Sequence, residues 1–145
     1  MNVKGANMNG ASLVLSSFLD SEISHASLRR GLLSGSRFEN IKGIAVDFRG
    51  GHLENSHWIE SDLSKSLFMG VRAEKSKFIN CNLQRANFWG SNLFDVDFNG
   101  SDLRGANLES TIVLFTRFEN AKFNSKTRLP FDRETALAKG MVEVE

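Results

Sequence analysis

Three histidines and one cysteine are the side chains of this sequence best suited to metal binding or nucleophilic chemistry. A metal ion would need ring nitrogens that converge within about 2 Å of one point. Whether His25, His52 and His57 can converge depends on the elements that carry them. Cys81 has no partner in the chain, which excludes an internal disulfide and a cysteine-based metal cluster.

Serine is frequent, and many of its positions are separated by multiples of five residues. Ser61, Ser76 and Ser101 share this spacing, and Cys81 falls in the same register. Every fifth residue from 6 to 121 is in most cases Ala, Ser, Gly, Thr or Cys. The residue two positions later, from 8 to 123, is large and apolar in 22 of 24 cases. We therefore interpret the serines and the cysteine as packing residues and not as nucleophiles.

A five-residue period fits neither of the common elements. At 100° per residue, five steps of a helix spread the apolar positions around the whole cylinder. Odd steps along a strand alternate between its two faces, so a turn must interrupt every five residues. Each pentapeptide is then one short side of a square coil, and 20 residues complete a circuit. Glycine recurs at the fifth position, where corners with positive φ favour it.

The sequence repeats its side-chain sizes at intervals of 20 residues, as a four-sided coil requires. One side is aromatic at every level, and the opposite side carries large residues as well. The aromatic side consists of Phe18, Phe38, Trp58, Phe78, Phe98 and Phe118, and the opposite side of Met8, Leu28, Phe48, Phe68, Phe88 and Leu108. In this coil the three histidines face outward from different sides, so they cannot share a metal ion.

The repeats resemble those of the pentapeptide-repeat proteins, whose signature is A-[DN]-L-x-x. Residues 86–90, 101–105 and 106–110 (ANFWG, SDLRG and ANLES) carry the resemblance, which extends over residues 6–125. It implies an all-β fold, a right-handed quadrilateral β-helix of about six coils. We expect a partial repeat at 1–5, 24 pentapeptides at 6–125 and a capping tail at 126–145. The tail should contain a short helix near 132–139, which begins after Asp132 and ends at Gly140.

The charge and hydropathy of the chain limit the classes of partner that can be expected. The chain has 18 basic and 17 acidic residues, so no global field favours nucleic acid or a membrane surface. A basic cluster of Arg29, Arg30 and Arg49 is the one candidate for weak anion binding. No window is apolar enough to span a membrane, and we expect a cytoplasmic, bacterial protein. No phosphate-binding loop or dinucleotide fingerprint is present, so no cofactor is predicted.

Outward-facing apolar residues are the best candidates for a partner-binding surface. Met69 and Trp89 stack one coil apart, and Phe94 and Leu114 do so on the next side, with Ile112 and Phe115 nearby. Two interpretations remain open. Either the C-terminal tail folds over this patch, or the patch binds another protein.

The first coil is the second candidate surface. Only five residues precede the first full repeat, so the coil end formed by Met8, Leu13, Phe18 and Ile23 is expected to be exposed. A second copy of the chain, another protein or a preceding domain could cover it. A homodimer through this coil is therefore one expectation.

We predict a non-enzymatic scaffold that binds a protein partner of unknown identity. The alternative is a DNA mimic that inhibits DNA gyrase or topoisomerase IV. The resemblance implies this alternative, because the best-characterised pentapeptide-repeat proteins act in this way. A mimic needs acidic columns, whereas residues 6–125 carry 13 acidic and 13 basic side chains. The resistance proteins of that family also have loops that interrupt their coils, and none occurs here. An enzyme is the third and weakest alternative.

Overall fold

A computed structural model describes all residues, 1–145, and shows a four-sided parallel β-helix. Residues 20 apart lie side by side and hydrogen-bond in parallel register. The ladders of four sides run the length of the rod, beginning with the bridges of Asn2 to Glu22, Asn7 to Ser27, Ser12 to Leu32 and Ser17 to Arg37. We call these the first, second, third and fourth sides. The quadrilateral fold predicted from the sequence is confirmed.

The regular elements are short because each side of the coil is short. On the fourth side, β1 (Ser17–Leu19), β2 (Arg37–Glu39), β3 (His57–Ile59) and β4 (Lys77–Ile79) form one parallel sheet. At the C-terminal end, β5 (Lys122–Phe123) pairs with β6 (Val142–Glu143), and helix α1 (Arg133–Ala138) lies between them in sequence. No helix is long and apolar enough to cross a membrane.

The corners explain why glycine and asparagine recur at the fifth position of the repeat. At nearly every corner the fifth residue has a φ between 49° and 73°, as at Gly10, Asn40 and Glu60. Positive φ at the third residue of a four-residue turn is typical of a type II turn, and the N–H of Ala6 donates to the carbonyl of Val3 across one such turn. Glycine and asparagine adopt this conformation at least cost.

The second position of each repeat has its own physical reason to be Asn or Asp. The side-chain oxygen of Asn92 accepts a hydrogen bond from the N–H of Phe94, at 3.1 Å, and Asp62 does the same for Ser64, at 3.0 Å. Asn and Asp side chains commonly satisfy the backbone two residues later in this way. The A-[DN]-L signature thus encodes an inward small residue, a side-chain acceptor and an inward large residue.

The core is a stack of aromatic rings. Phe78 is fully buried, with ring centroids 6.2 Å from Trp58 and 5.4 Å from Phe98, its neighbours one coil away on either side. Across the core, Phe78 also packs edge-on against Phe68 and Phe88, at 5.6 and 5.8 Å. Both geometries are favourable for aromatic pairs. The stacking of the two large sides confirms the 20-residue period.

The C-terminal tail covers three of the four sides. It pairs with the second side through Leu108 N to Arg128 O (2.7 Å), with the fourth through Asn120 N to Gly140 O (2.8 Å), and with the first through β6. Asp132 accepts a hydrogen bond from the N–H of Thr135, at 2.8 Å, and begins α1. The chain crosses from the second side to the fourth between residues 128 and 133 and bypasses the third side.

Candidate interaction surface

The largest exposed apolar side chains lie at two places, and one of them is the third side near the C-terminal end, together with the corners that bound it. There Trp89 is 51% exposed, Ile112 53%, Leu114 58% and Phe115 68%. Phe94 is half-buried and packs edge-on against Phe115, with ring centroids 5.8 Å apart. We call these five residues the apolar corner. Met69, expected in the same patch, is half-buried one coil below Trp89.

The tail does not cover the apolar corner, so the interpretation that it folds over this patch is wrong. Its aromatic residue Phe131 instead packs on Phe118 of the fourth side, at 5.6 Å. Ala136 and Met141 are the tail residues buried against the core, whereas Leu137 is 41% exposed. The tail caps the end of the rod, and its bypass of the third side leaves the corner open.

The third side changes character at the last coil. Its outward positions carry polar side chains in the middle of the rod, such as Glu54, Glu74 and Lys75. In the pentapeptide 111–115, Ile112 occupies the place where Asn92 accepts a hydrogen bond one coil earlier, and the remaining outward positions are also apolar. Since these outward positions do not pack in the core, the fold itself does not require the change.

Phe115 is an unusual residue for its backbone conformation. It occupies a corner with a φ of 60°, a region that is unfavourable for a bulky side chain. Its ring is nevertheless mostly in solvent. Leu15, on the same side five coils earlier, has a φ of 58° and is 80% exposed. The fold would be served as well or better by Asn or Gly at both positions.

The second exposed apolar surface is the first coil. Met8, Leu13 and Phe18 are half-buried at the open end of the rod. Ile23, expected at the same end, is buried because the partial repeat stacks over it, with the N–H of Val3 donating to the carbonyl of Glu22 at 2.9 Å. The prediction that Ile23 is exposed at this end is therefore wrong, whereas Met8, Leu13 and Phe18 lie there as expected.

Sequence reasoning also missed part of this surface. Val14, Leu15 and Leu19 are 45%, 80% and 62% exposed next to the open end. Their outward positions in the register were a usable signal, because the same register identified Trp89 and Leu114.

The histidines remain apart, and no group of acidic, histidine or cysteine side chains is placed to hold a metal ion. His57 lies in the fourth-side ladder between Arg37 and Lys77. Partial burial, together with these two cations, lowers the pKa of His57 below its ordinary value of 6.5. The ring is therefore neutral near pH 7.

Cys81 and several inward serines, Ser61 and Ser101 among them, form internal hydrogen bonds, whereas the buried Oγ of Ser76 has no hydrogen-bond partner. The N–H of Cys81 donates to Ser101 Oγ at 3.0 Å, and the thiol of Cys81 donates to the carbonyl of Trp58 at 3.3 Å. Burial raises the pKa of the thiol to about 12. Ser61 Oγ likewise accepts from the N–H of Ile41, at 2.9 Å. These side chains stabilise the core and are not available as nucleophiles in the folded chain.

The basic cluster is partly neutralised by one carboxylate. Arg49 forms a two-pronged ion pair with Asp47, at 2.7 and 2.9 Å, and Arg29 approaches the same carboxylate at 3.9 Å. The hydrogen bond from Arg49 holds the pKa of Asp47 below its ordinary value. Arg30 lies at the adjacent corner. The cluster is therefore a weak candidate for an anion site.

The repeats match a family model that describes pentapeptide repeats, in eight copies over residues 47–85 and 74–109. No curated protein sequence matches the chain. Among solved structures, full-length QnrB1, a plasmid-mediated fluoroquinolone resistance protein, is 15% identical, with a TM-score of 0.59. That alignment covers 99% of this chain and 92% of QnrB1.

Two further solved structures are similar. A trypsin-treated variant of QnrB1 is 15% identical, with a TM-score of 0.60, over 100% of this chain and 90% of that chain. Rfr23, a pentapeptide repeat protein from the cyanobacterium Cyanothece 51142, is 20% identical, with a TM-score of 0.47, over 88% and 90%. At these identities the likenesses to QnrB1 show the fold alone. The family model identifies residues 47–109 as pentapeptide repeats, and the 20-residue circuit of the coil continues over the rest of the rod.

Proposed function

We propose that the protein is a non-enzymatic scaffold that binds a protein partner through the apolar corner. The observation that carries this proposal is the exposure of Trp89, Ile112, Leu114 and Phe115 on a rod whose other outward columns are mostly polar. Contiguous exposed apolar side chains on a folded protein mark interaction sites. Trp and other aromatic side chains dominate the energetics of such sites.

Removal of the apolar side chains tests the proposal. The wild-type protein, immobilised, is compared with Trp89→Ala/Phe94→Ala and with Leu114→Ser/Phe115→Asn in capture from a lysate of its source organism. Ile79→Ser, on the fourth side, is the control because Ile79 is half-buried in another column. We expect one protein to be captured by the wild type and the control and lost from both corner variants. Identical profiles for all four proteins would contradict the proposal.

The first coil offers a second surface of the same kind. Its half-buried Met8 and Phe18, flanked by exposed Leu15 and Leu19, are suited to an end-to-end contact with a second copy. Sedimentation velocity from 1 to 100 µM tests this contact, with Leu15→Asn/Leu19→Ser as the disrupting variant. A dimer that the variant dissociates supports it, and a monomer throughout contradicts it.

The DNA-mimic alternative is favoured by one local feature, an acidic groove between the fourth and first sides. Asp20, Glu22, Glu60 and Asp62 line it, but Lys42 lies among them and pairs with Glu22 at 3.7 Å. Elsewhere the outward charges alternate in sign, as in the pair of Arg72 with Glu54 at 3.4 Å. A mimic of duplex DNA needs a continuous acidic track. In a DNA gyrase supercoiling assay we expect no inhibition, and inhibition at low micromolar concentration would favour the mimic.

A further inference from the structure

We propose that the third side of the last coil accepts an extended segment of the partner protein as an additional parallel β-strand. The proposal rests on the proposed function, because it concerns the apolar corner, and it specifies how the partner is held. The evidence for it is the hydrogen bonding of the backbone of residues 111–116 and the apolar character of their side chains.

Backbone hydrogen-bonding groups of this segment have no partner within the chain. In the coil below, Leu93 N donates to Ile112 O and Asp95 N to Leu114 O, both at 2.9 Å, and Ile112 N donates to Ser91 O at 3.2 Å. The equivalent groups one coil later are the N–H groups of Val113 and Phe115 and the carbonyl of Thr111. None of these three makes a backbone hydrogen bond.

The three unpaired groups form a ready template for a strand. They repeat the spacing that joins every earlier coil to the next on this side, so a strand in parallel register would satisfy all three. Exposed edges of this kind pair with added strands. The chain's own tail hydrogen-bonds to the other three sides, through Arg128, Gly140 and Val142, and the third side alone receives no hydrogen bond from it. On the fourth side the N–H of Phe118 and the carbonyl of Thr116 also make no backbone hydrogen bond.

The side chains that flank this edge are those of the apolar corner. Ile112 and Leu114 project outward from the edge segment itself, and Phe115 lies at the corner where the segment ends. An added strand would place its outward side chains directly over Ile112 and Leu114, as Ile112 lies over Asn92 in the structure. Val113, which is half-buried, would be covered by the central side chain of the strand.

These contacts define the chemistry of the segment. It is an extended stretch of about three residues, uncharged and rich in β-branched or other apolar side chains, with carbonyls free to accept from Val113 and Phe115. A charged segment would meet the apolar side chains of Ile112 and Leu114 and lose its hydration without an ionic partner.

Selection from a library of 12-residue peptides displayed on phage tests the proposal with the full-length protein. Peptides are selected on the wild type after depletion on Leu114→Ser/Phe115→Asn. Binding of the enriched peptides is then measured for the wild type, for this variant and for Val113→Pro. Proline at 113 removes an N–H that makes no backbone hydrogen bond within the fold. Thermal unfolding checks that each variant is folded.

We expect enriched peptides that share an uncharged apolar stretch and bind Val113→Pro at least tenfold more weakly than the wild type. Amide hydrogen exchange should be fast at Val113 and Phe115 in the free protein and slow in the complex, and it provides the readout if Val113→Pro fails to fold.

Peptides that need Leu114 and Phe115 but leave both amides exchanging freely would overturn strand addition and leave the proposed function standing. Failure to enrich any peptide would overturn strand addition. A dimer that Leu114→Ser/Phe115→Asn dissociates would assign the edge to a second copy and also overturn it.

Discussion

The ring of Phe115 packs edge-on against the ring of Phe94, 5.8 Å away, on the solvent side of a backbone corner with a φ of 60°. This is the one aromatic pair of the molecule that lies outside the core and the tail. A contact between aromatic rings contributes about 0.5–1.5 kcal/mol, and a left-handed backbone costs a non-glycine residue about 1–2 kcal/mol. The two terms nearly cancel, so the stability of the rod gives no reason for phenylalanine at this corner.

Replacement of Phe115 by Asn should therefore leave the free energy of unfolding unchanged or raise it, by at most about 1 kcal/mol. Asn tolerates the corner conformation, and the lost ring is 68% exposed. Urea unfolding of the wild type and Phe115→Asn measures the difference. A loss of more than about 1 kcal/mol would show that the ring stabilises the fold and would weaken its assignment to a partner contact.

Phe78→Ala should lower the free energy of unfolding by about 3–5 kcal/mol, because it opens a cavity between stacked and edge-on rings. Ile79→Ala, one residue later and half-buried, is the matched control and should cost about 1 kcal/mol or less. Urea unfolding of both variants tests whether Phe78 points into the core and Ile79 points outward. Equal losses would contradict it.

Cys81 should not react with a thiol reagent such as DTNB in the native protein. Burial raises its pKa to about 12, so almost no thiolate exists at pH 8, and the surrounding core excludes the reagent. The measured rate should equal the rate of unfolding, and 6 M guanidinium chloride should expose one thiol per chain. Complete reaction of the native protein within minutes would be inconsistent with the buried position.

His57 should make stability depend on pH in the range in which free histidine titrates. Its pKa in the folded chain lies below 6.5, so the unfolded chain binds a proton that the folded chain does not. The free energy of unfolding should therefore fall as pH decreases through about 6.5 and stop falling, as far as His57 is concerned, below its folded pKa. Urea unfolding from pH 5 to 8 should show a smaller decrease for His57→Asn. Parallel curves for the two proteins would contradict the lowered pKa.

The sequence predicted the fold well because the five-residue register is a property of every coil. Each inward position, such as Phe78, is fixed by the same geometry, and repetition every 20 residues supplies many independent checks on it. The path of the tail could not be predicted in this way. Its helix follows from Asp132 and Gly140, but the bypass of the third side depends on where Phe131 packs, and no periodicity specifies that contact.

The candidate surface was predicted only in part for the same reason. The register placed Trp89 and Leu114 outward, but whether the tail covers them is decided by tertiary packing. The burial of Ile23 and the exposure of Leu19 depend on how the short first repeat stacks, which the pattern of a single pentapeptide cannot show. The five-residue repeat predicts the coils, but it does not predict the structure of the two ends of the rod, where the repeat stops.

Because inward residues alone determine the packing of each coil, the outer surface of the rod can vary column by column without disturbing its interior. Glu54, Glu74, Phe94 and Leu114 occupy equivalent places on one side and yet are carboxylates at two levels and apolar groups at the next two. Affinity for a partner can therefore arise, move along the rod or disappear through substitutions at a few positions, while the scaffold beneath them keeps its shape.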